Sequence, residues 1–307
     1  MKVLITGVNG FLGRNISKNL IDNGHDVFGV SMHCNNLTDI VNKIHFVQCD
    51  MNSIDTIIPG IIDFHPDTII HCAWWGGNNY IDTNSFFQYD NNIPALAKLM
   101  LIASHLEIKH FIGLGSAAEY GNKNIQIYEN FQEDPITLYG TTKTMAKLYT
   151  KQICNQDKIK WTWVRPFYTY GPYDVKTRLI PKTILSCLKN ENMVLSECKS
   201  LADYLYIDDF VNIIHDIVIN KHEGIYNICS GDAVQIRSIV EHIKWLTKSS
   251  SKIIFDEKLN RSNYPSVIWG NNYKLQKVYG QVNKTDILTG LEKTIEFYKN
   301  ENTNNRR

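Results

Sequence analysis

The chain has 307 residues, 43% of them hydrophobic, with 32 basic and 31 acidic side chains and a net charge of +1. Such a length suffices for one large α/β unit or a core domain with a smaller lobe, and balanced charge gives no reason to expect nucleic acid or an acidic membrane as partner. Seven cysteines, odd in number and without a C-x-x-C pair, together with the lack of any apolar run near the roughly 18 residues a bilayer demands, fit a reduced cytoplasmic protein.

The first residues carry none of the long apolar segment of a signal peptide. Instead Val3 to Thr6 reads as a strand, and Gly7-Val-Asn9-Gly10-Phe11-Leu12-Gly13-Arg14 reads as a tight turn opening a helix through Ile16, Leu20 and Ile21. Gly7 can take the angles of the turn, Gly10 has no Cβ to hold a phosphate away, and Gly13 lets the helix lie close to the strand. The free N–H groups and the positive dipole end of that helix suit an anionic diphosphate. A lone glycine match is also met in ordinary turns, so later residues must decide.

Further strands follow at Asp26 to Val30, Ile44 to Gln48, Thr68 to His71, His110 to Leu114 and Trp161 to Arg165. Helices are expected at Ile54 to Phe64, closed by Pro66, and at Asn84 to His105, with a kink at Pro94. Strands alternating with helices specify a parallel, doubly wound α/β sheet of Rossmann type covered on both faces, with ligands at the strands' carboxyl ends. Gly7, Ser31, Asp50, Ala73, Ser116 and Pro166 lie there. Beyond Pro172 helices are expected at Ile180 to Leu188, Asp208 to Asn220, Ile236 to Leu246 and Leu288 to Lys299. Short strands are expected near Val194, at Gly224 to Ile228 and at Lys252 to Phe255. The expected division is a dinucleotide domain over 1–172, a substrate lobe over 173–300 from which segments can return to the first domain, and a frayed tail at 301–307.

Tyr139 and Lys143 fall four residues apart on a predicted helix and so share a face. A nearby ammonium favours phenolate and brings the phenol's proton within catalytic reach, while Ser116 at a strand end can hydrogen-bond the same substrate oxygen. Such a Tyr/Lys pair also arises by chance on helix surfaces. The glycine turn and the upstream serine weigh against chance. No His/Cys/Asp/Glu cluster has metal-ligand spacing, and no nucleophile-elbow motif occurs.

These motifs resemble the extended short-chain dehydrogenase/reductases, the nucleotide-sugar epimerases, dehydratases and 4-ketoreductases. The resemblance covers nearly the whole chain: the glycine turn, Asp50 as adenine-recognising acid, His71-Cys72-Ala73, Asn92, the Ser116/Tyr139/Lys143 set, Arg165-Pro166 to Pro172, and Asp203 to Asp209. It implies a cofactor set of Gly7, Asn9, Gly10, Phe11, Leu12, Gly13, Arg14, Ser31, Asp50, Met51, Cys72, Ala73, Trp74, Asn92, Tyr139, Lys143 and Pro166. It implies substrate contacts at Trp74, Ser116, Tyr168, Arg178 and Arg261. Family members often dimerise through two long helices, here 84–105 and 138–154.

Departures from the family pattern refine the expectation. Ser31 stands where NAD-using relatives usually carry an acid, and with Arg14 or a protonated His33 nearby it favours NADP(H) over NAD. Ala117-Ala118 stand where 4,6-dehydratases resemble one another in carrying Asp-Glu, and two methyl groups move no protons. Tyr168 replaces a common asparagine, and Ala202 an arginine before Asp203. The implied activity is NADPH-dependent reduction of the C4 ketone of a nucleotide-linked 4-keto-6-deoxyhexose in deoxysugar and surface-polysaccharide biosynthesis. A nucleotide-sugar 4-epimerase with tightly held NAD, and a non-catalytic dinucleotide sensor, are the alternatives.

Overall fold

A computed structural model describes residues 1–76, 82–260, 265–280 and 284–304. Its elements in chain order begin with β1 (Lys2–Thr6), α1 (Phe11–Asp22), β2 (Asp26–Ser31), β3 (His45–Gln48), α2 (Ile58–Phe64) and β4 (Thr68–His71). Next come α3 (Phe87–His105), β5 (His110–Leu114), β6 (Gln126–Ile127), α4 (Leu138–Asp157), β7 (Lys160–Pro166), β8 (Tyr168–Tyr170) and α5 (Leu179–Leu188). The remainder is β9 (Met193–Leu195), β10 (Leu201–Tyr206), α6 (Ile207–Asn220), β11 (Gly224–Ile228), β12 (Ala233–Gln235), α7 (Ile236–Thr247), β13 (Ile253–Phe255), β14 (Val267–Gly270), α8 (Tyr273–Tyr279) and α9 (Ile287–Asn304).

Seven parallel strands form the main sheet in the order β11-β7-β5-β4-β1-β2-β3. Every residue of β4 and β5 is buried, because helices cover both faces of the sheet and leave no solvated side to favour alternation. One core lies on each face. Val3, Ile5, Ile16, Leu20, Phe210 and Ile214 pack on one side, and Leu4, Ile69, Leu99, Phe111 and Trp163 on the other. Strand order reverses between β1 and β4, and a doubly wound sheet opens its ligand crevice at such a reversal.

The doubly wound α/β class agrees with the sequence, while several elements differ from it. The helix expected from Ile54 is a 3-10 turn, Met51–Ile57, followed by α2, whose start fits Pro59 in its first turn. It ends at His65 in the left-handed conformation, φ 53°, one residue before Pro66. α3 begins at Phe87 and continues through Pro94. β11, read from sequence among the lobe's short strands, pairs in parallel with β7 from Gly224↔Thr162 to Ile228↔Pro166.

A second sheet, β12-β10-β14-β6 with β8 paired to β10, was hardly visible in the sequence. Its members are two to six residues long and too short to show a period. Asp203 in the middle of β10 ties it to the main sheet. Its carboxylate accepts from Ser230 N at 2.7 Å, Ser230 Oγ at 2.7 Å, Gly231 N at 3.0 Å and Gly270 N at 3.3 Å. Burial pushes this carboxyl up to about 6, against the pull of those donors.

Asp203→Ala would strand these donors in the interior, at a cost of about 2–4 kcal/mol. Urea unfolding should show that loss. A change below about 1 kcal/mol would mean that other contacts join the sheets.

Candidate active site

The crevice begins where β1 ends. Thr6 Oγ1 lies 2.8 Å from His71 Nδ1 and accepts from Ala73 N at 3.2 Å, so the ends of β1 and β4 are tied together. Gly7 has φ +74°, and a Cβ there would fall 2.7 Å from the Ala73 backbone. A Cβ on Gly13 would lie 2.3 Å from Gly7 O, so α1 crosses the strand end at a distance only glycine permits. A Cβ on Gly10 would touch only Gly7 O, at 3.2 Å. No side chain caps α1 and no acid occupies its first turn. Free N–H groups and an uncrowded approach fit the diphosphate of a dinucleotide.

The adenosine end of such a ligand would meet the loop after β2. Asn9 Oδ1 accepts from Asn36 N at 2.8 Å, and Asn9 Nδ2 donates to Asn35 Oδ1 at 2.9 Å, binding this loop to the glycine turn. Asp50 Oδ1 accepts from Asn52 N at 2.8 Å and caps the following 3-10 turn. Arg14 corrects the sequence reading. Its guanidinium pairs with Asp39 at 2.5 Å and lies 3.6 Å over the Tyr173 ring, and it does not line the cavity. Nor does His33. A carboxylate already neutralises the charge expected to meet a 2′-phosphate.

Across the crevice, Ser116 leaves β5 and caps the 3-10 turn Ala117–Tyr120, its Oγ accepting from Ala118 N at 3.1 Å. Behind it Glu119, fully buried, accepts from Ser116 N at 2.8 Å and from Trp163 Nε1 at 2.9 Å on one oxygen. Arg165 Nε donates to its other oxygen at 2.8 Å. Arg165 Nη1 donates to Tyr120 Oη at 2.6 Å, and its Nη2 pairs with Glu133, which also takes Lys147 of α4. Thr137 caps α4 by accepting from Gly140 N at 3.1 Å, placing Tyr139 and Lys143 toward the cavity.

Tyr139 lines the cavity together with Ser116, whose side chain acts on its phenol. Lys143 Nζ, however, donates to Leu114 O at 2.7 Å and lies 3.5 Å over the Trp74 ring. The ionisations follow that geometry and not the simple sequence expectation. Burial pushes Tyr139 up, while the Ser116 bond and the Arg178 charge pull it down. Burial lowers Lys143 to about 7, against the charge of Glu119. Desolvation disfavours charge on both groups.

A single cavity of about 1260 Å³ joins these parts. Of the residues named from sequence, it is lined by Gly7, Asn9, Gly10, Phe11, Leu12 and Gly13 from the first turn, and by Ser31, Asp50 and Met51 from the next strand ends. Cys72, Ala73, Trp74, Asn92, Ser116, Tyr139, Lys143, Pro166, Tyr168 and Arg178 complete the set. Arg261 falls outside the described residues. Ala202 is buried inside β10.

Some lining residues had no role in the sequence reading. Asp174 accepts from Arg178 Nη1 at 3.1 Å, and burial lifts its carboxyl to about 6 against that arginine. Its four-residue spacing from Arg178 was the available signal. Tyr204 stacks on Tyr168 with centroids 5.1 Å apart. Asn35 and Asn36 lie in an irregular loop, where nothing local marks a ligand contact. Among the described residues no cluster could hold a metal ion, and no helix is long and apolar enough to cross a membrane.

A glycine turn under the switch point of a parallel sheet, facing a Ser/Tyr/Lys set across one cavity, defines an enzyme of the extended short-chain dehydrogenase/reductase type. The chain belongs to the NAD dependent epimerase/dehydratase family, whose model matches residues 3–229. It is 24% identical to the dTDP-6-deoxy-L-talose 4-dehydrogenase (NAD(+)) of Aggregatibacter actinomycetemcomitans, over 88% of this chain and 99% of that one. Its fold matches a Thermotoga maritima UDP-glucose 4-epimerase, solved with UDP-glucose, at a TM-score of 0.88 and 20% identity, over 98% and 99% of the two chains. The UDP-glucuronic acid 4-epimerase of Bacillus cereus, solved with UDP-glucuronic acid and NAD, matches at a TM-score of 0.88 and 20% identity, over 98% and 100%.

Lys143 sets a pH dependence. The folded state releases its proton near 7 and the unfolded chain near 10.5, so between these values the unfolded state holds the extra proton and stability rises with pH. Wild type should therefore gain stability relative to Lys143→Met from pH 7 to pH 10, followed by chemical denaturation. Parallel curves would show that burying the ammonium costs nothing.

Proposed function

We propose that this enzyme reduces the C4 ketone of a nucleotide-linked 4-keto-6-deoxyhexose, using NADPH. The observation that supports this reading most is the pair Ala117-Ala118 beside Ser116: these two positions carry no acid or base for elimination at C5 and C6, and Glu119, which follows them, is buried and held by Trp163 and Arg165. Ser116, Tyr139 and Lys143, which line the cavity, are a set suited to a single proton transfer at one carbon.

A nicotinamide cofactor held by the glycine turn would supply hydride when bound. Ser116 holds the ketone oxygen, and Tyr139 gives its proton to that oxygen as alkoxide character develops. Burial, which keeps Tyr139 protonated, suits it to act as the acid. Protonated Lys143 offsets the negative charge left on the Tyr139 oxygen. Arg178 and the Tyr168/Tyr204 pair lie on the part of the cavity left for the sugar nucleotide.

A second reading, C4 epimerisation with retained NAD, is favoured by the epimerases of similar fold. The same three residues would serve it, so cofactor turnover separates the two. Incubation with a panel of nucleotide-linked 4-ketosugars should consume one NADPH per product, followed by absorbance and product NMR, and Tyr139→Phe should lower kcat about 10²- to 10⁴-fold. Interconversion of C4 epimers without net cofactor loss would replace the first reading by the second.

With Arg14 paired to Asp39, the NADPH preference rests on Ser31. Ser31→Asp should lower the ratio of kcat/KM for NADPH to that for NADH by about tenfold or more, since a carboxylate repels the 2′-phosphate. An unchanged ratio would show that Ser31 does not read the ribose.

A further inference from the structure

Trp74 is built into its place more firmly than a wall of the cavity requires. Its indole Nε1 donates to Gln88 Oε1 at 2.9 Å, and Gln88, fully buried on α3, donates through Nε2 to Gly76 O at 2.8 Å. One turn further along α3, Asn92 Oδ1 accepts from Trp75 N at 2.7 Å and its Nδ2 donates to Trp75 O at 3.3 Å. Two amide side chains of one helix thus grip residues 74–76. The grip sets the indole face 3.5 Å from Lys143 Nζ and its ring at 90° to Tyr139, with centroids 6.2 Å apart.

Leu114 O accepts from the same ammonium at 2.7 Å. Neither direct neighbour carries a full charge. The titratable groups whose fields reach Lys143 are Glu119 from the turn after β5, and Cys72 and His71 from the end of β4, with Tyr139 one turn earlier on α4. Burial holds Cys72 at about 12 and His71 at about 3, so both are neutral near pH 7. Glu119 is left as the opposing charge, and its carboxylate already receives three donors. An aromatic face is the remaining source of attraction for a desolvated ammonium.

We infer that Trp74 is a positioning residue: its indole face, fixed by Gln88 and Asn92, holds the Lys143 ammonium at the end of β5, within reach of the Tyr139 site. The inference rests on the proposed function only for its kinetic consequence, because the contact itself can be measured without substrate.

The test is a pH titration of the full-length protein carrying 13Cε-labelled lysine, with Lys143→Met assigning the resonance. Trp74→Leu should lower the Lys143 midpoint by about one pH unit, the size expected of a cation–aromatic contact shielded from water. Trp74→Phe, which keeps an aromatic face, should restore roughly half of that shift. Gln88→Met removes the anchor and leaves ring and ammonium intact, so it should move the midpoint in the same direction, and it decides the matter if Trp74→Leu does not fold.

In the reductase assay the limb of the kcat profile that titrates with Lys143 should move with the NMR midpoint. A midpoint unchanged in both Trp74→Leu and Gln88→Met overturns the inference. A shifted midpoint in a protein that reduces no 4-ketosugar overturns the proposed function and leaves the inference standing.

Discussion

Ser116 and the Tyr139/Lys143 pair stand on different elements, and what keeps them in register is a carboxylate shut away from water. Glu119 accepts from the Ser116 backbone, from Trp163 on β7 and from Arg165 two residues further along that strand. Arg165 passes the balance to Glu133, and Glu133 to Lys147, one helical turn beyond Lys143. Two acids and two bases close the set without net charge. Removing one partner from such a buried network costs on the order of 3–5 kcal/mol, because the others lose both partner and hydration. The serine and the phenol therefore share one electrostatic foundation.

That foundation sits in an environment hostile to charge, and Tyr139 and Lys143 register it. Burial lowers the Lys143 ammonium to about 7 and raises the Tyr139 phenol. A simple pairing of the two would have done the opposite to the phenol. The ammonium instead rests between a backbone carbonyl and an indole, while the phenol answers to Ser116 and to the Arg178 charge at the far side of the cavity. Neutral tyrosine is the form an acid catalyst needs before the reaction.

The main sheet was largely legible because its signals are local: β1, β4 and β5 are runs of apolar residues, and Gly7 and Gly13 are forced by contacts under 3 Å. Tyr139 and Lys143 were legible because four residues on a helix guarantee a common face. Where a side chain's partner lies far along the chain, no local pattern marks it. Arg14 looked like a free charge beside Ser31 until Asp39, 25 residues away, folded against it. The Trp74 contact with Gln88 and the short strands of the second sheet are likewise products of tertiary approach.

The position of β11 changes what counts as a self-sufficient piece of this chain. Residues 224–228 supply the outermost parallel strand beside β7, and the three residues that follow include Ser230 and Gly231, which satisfy Asp203. One short stretch near the three-quarter point thus finishes the first sheet and fastens the second. A cut anywhere between 173 and 223 would leave β7 with a bare edge on one fragment, and a cut between 204 and 223 would also part Asp203 from its donors, so the two sheets are interlocked along the sequence.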